Sequence, residues 1–137
     1  MVKRVLAATV VLLALAVTAS AQPKVQQAPI KPTPASDAAG MFQSYCAVCH
    51  GKDAKGAGPA APALTKAPAD LTHISTRNGG TYPETKVKRF IQGLDTISAH
   101  GTRDMPMWGE LFRSLDQNTA EIRVQALSDY LKGLQLK

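Results

Sequence analysis

Cys46-Ala47-Val48-Cys49-His50 gathers both cysteines of the chain and one of its histidines into five consecutive residues. Two residues between the thiols, wound into a helical turn, set the sulfurs at the separation of the two vinyl groups of one porphyrin. Each thiol would then add across a vinyl group, and the adjacent His50 would offer Nε2 to the iron as proximal ligand. Other chemistries use the same residue types. A structural disulfide forms outside the cytoplasm but leaves His50 without a role. A thioredoxin-like redox pair accompanies a βαβ pattern, which this chain lacks. A zinc site needs four ligands, and His73 and His100 do not stand at finger spacing. The motif favours covalent attachment of one haem.

The N-terminus gives this chemistry a compartment. Lys3 and Arg4 precede an uncharged apolar run from Val5 to Val17, and Ala19-Ser20-Ala21 follows with the small-x-small pattern of a cleavage site. That order describes a secretory signal over residues 1–21, cut after Ala21, and predicts a periplasmic product. The alternative is an uncleaved anchor, but the run is shorter than the roughly 20 residues a spanning helix prefers. No later stretch is apolar enough to span, so membrane association would come only through an uncleaved signal or a partner complex. Residues 22–36 carry Pro23, Pro29, Pro32 and Pro34 among Lys, Gln and Thr, and read as a linker. Residues 37–137 are left as one domain.

The formal charge is +6, and loss of Lys3 and Arg4 leaves +4. That is mildly basic, without the clustered Lys/Arg stripe of a nucleic-acid binder. Aromatic residues make up 5% of the chain, which is thin for a small domain. Small domains bury proportionately little surface, so a cofactor is expected to fill part of the core.

Periodicity predicts an all-α fold with three main helices. The first is capped by Ser36 or Asp37, with Ala38, Met41, Phe42 and Tyr45 on its apolar face. Gly51 to Gly80 reads as loop. Pro83 suits the first position of a second helix, whose apolar face holds Val87, Phe90, Ile91 and Leu94. The third opens at Asn118 with Glu121 three residues on, a capping-box arrangement. Its expected apolar face is Ile122, Ala126, Leu127, Tyr130, Leu131 and Leu134.

With these motifs the chain resembles the class I c-type cytochromes from about Ala35 to Leu134. Phe42 stands where that family carries an aromatic before the first cysteine, and Ala38 stands where it commonly has a glycine at a helix crossing. Tyr130-Leu131 resemble the matching pair in the last helix. Gly58-Pro59-Ala60-Ala61-Pro62-Ala63-Leu64 is similar to the loop after the attachment motif. There the resemblance implies that the Pro62 carbonyl orients His50, with Leu64 in the haem pocket. Met105-Pro106-Met107-Trp108-Gly109 resembles the distal segment, implying Met105 as the sixth ligand of iron and Trp108 near the haem. Met107 and His100 are the rival ligands. Proline also biases the residue before it toward extended backbone, which would aim Met105 away from a helix face.

The resemblance implies one covalently bound haem c, small cytochrome c architecture and electron transfer rather than catalysis. With His50 and Met105 as axial ligands, substrate has no ready access to iron. Redox proteins are the expected partners of a monomer, with Lys52, Lys55, Lys66, Lys86, Lys88 and Arg89 steering an acidic face. The alternatives are a subunit of a membrane-associated dehydrogenase or oxidase complex, and a haem enzyme or gas sensor with an open iron site. A self-contained di-haem peroxidase is disfavoured by the single C-x-x-C-H.

Overall fold

Asp37 begins the first helix as expected, its carboxylate accepting from the Gly40 N–H at 2.8 Å. The computed structural model describes residues 32–95 and 107–136. The proposed signal peptide, most of the linker, His100, Met105 and Pro106 lie outside the described residues. In chain order the elements are α1 (Ala38–Met41), a π-helical turn (Phe42–Cys46), α2 (Ala47–His50), 3-10 turns at Ala61–Ala63 and Leu71–His73, α3 (Ile74–Arg77), α4 (Glu84–Gln92), α5 (Trp108–Leu115) and α6 (Ala120–Gly133). Among the described residues there is no strand, and no helix is long and apolar enough to cross a membrane.

The core forms where α1 and the π turn meet α6. Met41 and Phe42 are fully buried and Tyr45 nearly so, as their helical spacing predicts. The rings of Phe42 and Tyr130 lie 5.4 Å apart, which pairs the two aromatics anticipated for this crossing. Burial of a side chain such as Phe42 or Phe112 contributes about 1.5–3 kcal/mol.

Helix α6 buries a wider face than its period predicts. Leu127 and Leu131 are buried and Ala126, Tyr130 and Leu134 pack against the core as expected, but Arg123, Val124 and Ser128 are buried beside them and Ile122 is 55% exposed. Arg123 explains part of this difference. Its Nη1 donates to the Thr33 carbonyl at 2.7 Å and approaches Met41 Sδ at 3.6 Å, while Nε is buried without a partner. Thr33 in turn donates its N–H and hydroxyl to the Tyr45 oxygen at 3.2 and 3.0 Å. Ordered contact thus begins inside the stretch read as linker. The cap of α6 also differs from expectation. Thr119 precedes the helix, and Asp116 accepts from the Asn118 N–H and the Thr119 hydroxyl. Glu121 does not reach back as a capping box, because both its oxygens take the Gln92 amide at 3.1 Å.

Helix α4 starts at Glu84, one residue after Pro83, and ends at Gly93 in the left-handed region (φ 76°). The Leu94 N–H closes onto the Arg89 carbonyl, a tight helix stop that turns Leu94 outward to 62% exposure. Leu94 is therefore not on the buried face with Val87 and Ile91. Helix α5 is an addition to the three expected helices. Trp108, Phe112 and Leu115 recur at helical spacing and pack onto the core, with Phe112 fully buried. A Cβ on Gly109 would sit 2.9 Å from the Gln92 carbonyl, so glycine permits α5 to approach the end of α4.

Candidate haem site

The attachment motif comes directly after the π turn, and the turn decides which way the motif faces. Position 49 lies two α-helical turns beyond Phe42 and would point into the same core in an uninterrupted helix. Here the Ala47 N–H bonds to the Phe42 carbonyl, one residue further than in an α-helix. The wider turn holds back the succeeding residues by about one residue's rotation, roughly 100°. Ala47 is then buried against the core, Cys46, Cys49 and His50 are half-buried with Cys46 packed against the core, and Val48 is exposed. Two thiols and an imidazole thus share one turn at the margin of the core.

The loop after the motif folds back to complete the helix end. The N–H groups of Gly51, Gly56, Gly58 and Ala60 donate to the carbonyls of Ala47, His50, Cys49 and Val48 at 2.7–3.0 Å. The Gly51 bond is the last of the helical series, and the carbonyls of Val48, Cys49 and His50, which have no intrahelical partner at the helix C-terminus, are satisfied by the loop. Gly58 is required for this closeness, since a Cβ would lie 2.5 Å from the Val48 carbonyl oxygen.

His50 Nδ1 lies 2.9 Å from the Ala69 carbonyl oxygen. A carbonyl only accepts, so Nδ1 carries the proton and Nε2 keeps its lone pair. Burial pushes the His50 pKa below its ordinary value, against the opposing pull of the Ala69 carbonyl, and so favours the neutral imidazole. The acceptor implied by the family resemblance is Pro62; the structure gives that place to Ala69. Pro62 lies exposed in the 3-10 turn Ala61–Ala63, whereas the chain returns past the motif at residues 68–71. There the Leu71 N–H bonds Ala54 O at 2.7 Å, and a Cβ on Gly56 would collide with the Pro68 carbonyl. Leu64 comes after the same turn and is half-buried.

Both cysteines are free thiols. Burial, followed by the neighbouring Cys49, pushes the Cys46 pKa up to about 12, which keeps that thiol neutral. Among the described residues no cluster of three or more His, Cys, Asp or Glu side chains is placed to hold a metal ion directly. Two free sulfurs on one turn, beside an imidazole with Nε2 available, match the donor set that holds haem covalently.

On the distal side the structure describes Met107 and Trp108. Met107 packs over Gly93, where a Cβ would lie 2.6 Å from its Cγ. Trp108 opens α5, half-buried, its ring 5.6 Å from Tyr45 and 6.4 Å from Phe112. The expected docking cations fall into two groups. Lys52, Lys55 and Lys66 are exposed on the loop after the motif. On α4, Lys88 is engaged by Glu84 and Gln125, and Arg89 donates to both oxygens of Asp95.

An all-helical domain that presents C-x-x-C-H with an oriented histidine is the class of protein that binds haem covalently. A family model described as Cytochrome c matches residues 35–135, and the chain belongs to that family. Comparisons with curated proteins and with solved structures return no match. Membership makes this an electron-transfer haem protein with covalently bound haem c, and Cys46 and Cys49 stand where that attachment requires them.

Proposed function

We propose that this protein is a single-haem electron carrier, exported to the periplasm and cut after Ala21, that works as a monomer between redox proteins of a respiratory or dehydrogenase chain. The observation that carries this reading is the histidine of the attachment turn, fixed through Nδ1 by the Ala69 carbonyl with Nε2 left for iron. When bound, haem supplies a reversible one-electron couple. His50 and Met105 would hold its iron. The packing of Met107 over Gly93 supports choosing Met105 of the two methionines. A neutral thioether paired with an imidazole would favour the ferrous state and raise the potential. With both ligands supplied by side chains, substrate would not reach iron, which argues for a carrier and against an enzyme.

Pro62 and Leu64 lie on the loop after the motif and would border the haem, with Trp108 near it on the distal side. Transfer complexes of this kind are small and short-lived. Lys52, Lys55 and Lys66 form the face offered to an acidic partner, because charge speeds encounter more than it tightens binding.

Potentiometric titration of the purified full-length protein under visible spectroscopy tests the reading. A one-electron Nernst slope, with a ferrous form that does not bind carbon monoxide, is the expected result. Ready carbon monoxide binding by the unaltered ferrous protein would indicate an open iron site and turn the reading toward an enzyme or gas sensor.

A further inference from the structure

The carbonyl that orients His50 belongs to a segment of irregular backbone, so something must hold that segment still. From residue 69 to residue 75 its polar groups are taken up in turn. Ala69 O faces His50, and Asp70 O accepts from Arg77. Leu71 N–H is bound by Ala54 O, and the Thr72 N–H by the Asp70 carboxylate. The remaining anchors come from the far end of the chain. Gln135, two residues past the end of α6, uses both ends of its amide. Its Nε2 donates to Leu71 O at 2.8 Å and Leu131 O at 2.7 Å, while its Oε1 accepts from the Ser75 N–H at 2.9 Å. The next residue adds a backbone bond, Leu136 N–H to Thr72 O at 2.9 Å.

We propose that Gln135 is a positioning residue for the haem ligand: by latching Leu71 and Ser75 to the end of α6 it holds the Ala69 carbonyl on His50 Nδ1 and thereby tunes the potential. This rests on the reading of His50 as the proximal iron ligand. The direction comes from the chemistry of the bond. A hydrogen bond from Nδ1 to a fixed carbonyl makes the imidazole a more basic ligand. A more basic ligand favours ferric iron, so loosening the carbonyl raises the midpoint potential.

The test uses the full-length holoprotein with Gln135→Ala, Gln135→Glu and, as a control on the same helix end, Lys132→Ala. Glutamate keeps the acceptor for Ser75 but loses the donors to Leu71 and Leu131. Three quantities are read: haem retained under denaturing, reducing electrophoresis, exchange of the His50 Nδ1–H by NMR in the ferrous state, and the midpoint potential. Gln135→Ala is expected to keep its haem, to exchange the ring proton about tenfold faster, as for loss of one net hydrogen bond, and to have a raised potential. Gln135→Glu should speed the exchange at least as much, because it sets a carboxylate oxygen against the Leu71 and Leu131 carbonyls. If Gln135→Ala does not fold, Gln135→Glu decides by the exchange of the ring proton. Unchanged exchange and potential would overturn the proposal, and so would an equal change in Lys132→Ala, which would mean that fraying of α6 alone is responsible. Absence of covalent haem from the unaltered protein would overturn the underlying reading of His50 instead, and the inference with it.

Discussion

The indole of Trp108 lies 5.6 Å from the ring of Tyr45, tilted by 32°, and so joins the turn that leads into the attachment motif to the helix that comes after Met105. Phe112 completes the contact, with its ring 5.8 Å from that of Tyr45. Phe112 is fully buried, so Phe112→Ala should lower the unfolding free energy by about 3–5 kcal/mol in chemical denaturation. Trp108→Ala should cost less stability but release the distal segment. With Met105 on the iron as proposed, it should weaken the charge-transfer band that a Met–ferric haem gives in the visible spectrum.

The two methionines around Pro106 should separate cleanly. Met105→Ala is expected to lower the midpoint potential, because harder replacement ligands favour ferric iron, and to let the ferrous protein bind carbon monoxide. Met107→Ala should leave the spectrum intact and cost only the packing over Gly93. The opposite pattern would move the ligand two residues along the chain.

Two glycines should respond to the same substitution with opposite signs. Gly58→Ala drives a methyl group into the backbone of the attachment turn and should destabilise the holoprotein by about 1–3 kcal/mol. Gly133 lies in α6 with nothing within 4 Å of an added Cβ. Gly133→Ala should therefore stabilise the protein by about 0.5–1 kcal/mol through helix propensity. Thermal melts of both holoproteins check the pair.

Much of this arrangement is legible in the sequence, and the rest is hidden for physical reasons. The attachment turn and the buried positions Val87 and Ile91 of α4 come from residue type and spacing, and the pairing of Phe42 with Tyr130 comes from the family resemblance. Identity of a backbone acceptor does not. Any residue supplies a carbonyl, so the choice of Ala69 over Pro62 depends on the path of a loop that carries no period. Arg123 hides in α6 for a different reason, since a charged residue at a core position is read as surface unless its partner, here the Thr33 carbonyl, is known. The π turn leaves no mark in composition, although it decides the direction in which Cys49 points. Helix α5 is marked by Trp108, Phe112 and Leu115, but the likeness of Met105 to Gly109 to a ligand segment favours reading that stretch as loop.

Acid should loosen the surface ties of α4 and the loop before it. The Gln125 amide, then Lys88, hold the Glu84 carboxyl below its ordinary range; Arg89 does the same for Asp95, and the Thr72 hydroxyl for Asp70. A carboxylate with a depressed folded pKa adds stability above its unfolded pKa and loses it as pH falls through the folded value. Denaturation midpoints should therefore hold near neutrality and fall below about pH 4. Glu84→Gln should reduce the steepness of that fall. An equal fall in the variant and the unaltered protein would remove Glu84 from the account.

The central claim is that Cys46 and Cys49 carry one haem on a turn at the margin of the core, and peptide mapping by mass spectrometry tests it most directly. In the purified holoprotein, the tryptic peptide spanning Cys46 to His50 should carry a single haem through both sulfurs, resistant to reductant. Cys46→Ser with Cys49→Ser should yield the same peptide without haem. Free thiols or a reducible disulfide in the peptide of the unaltered protein would contradict the account.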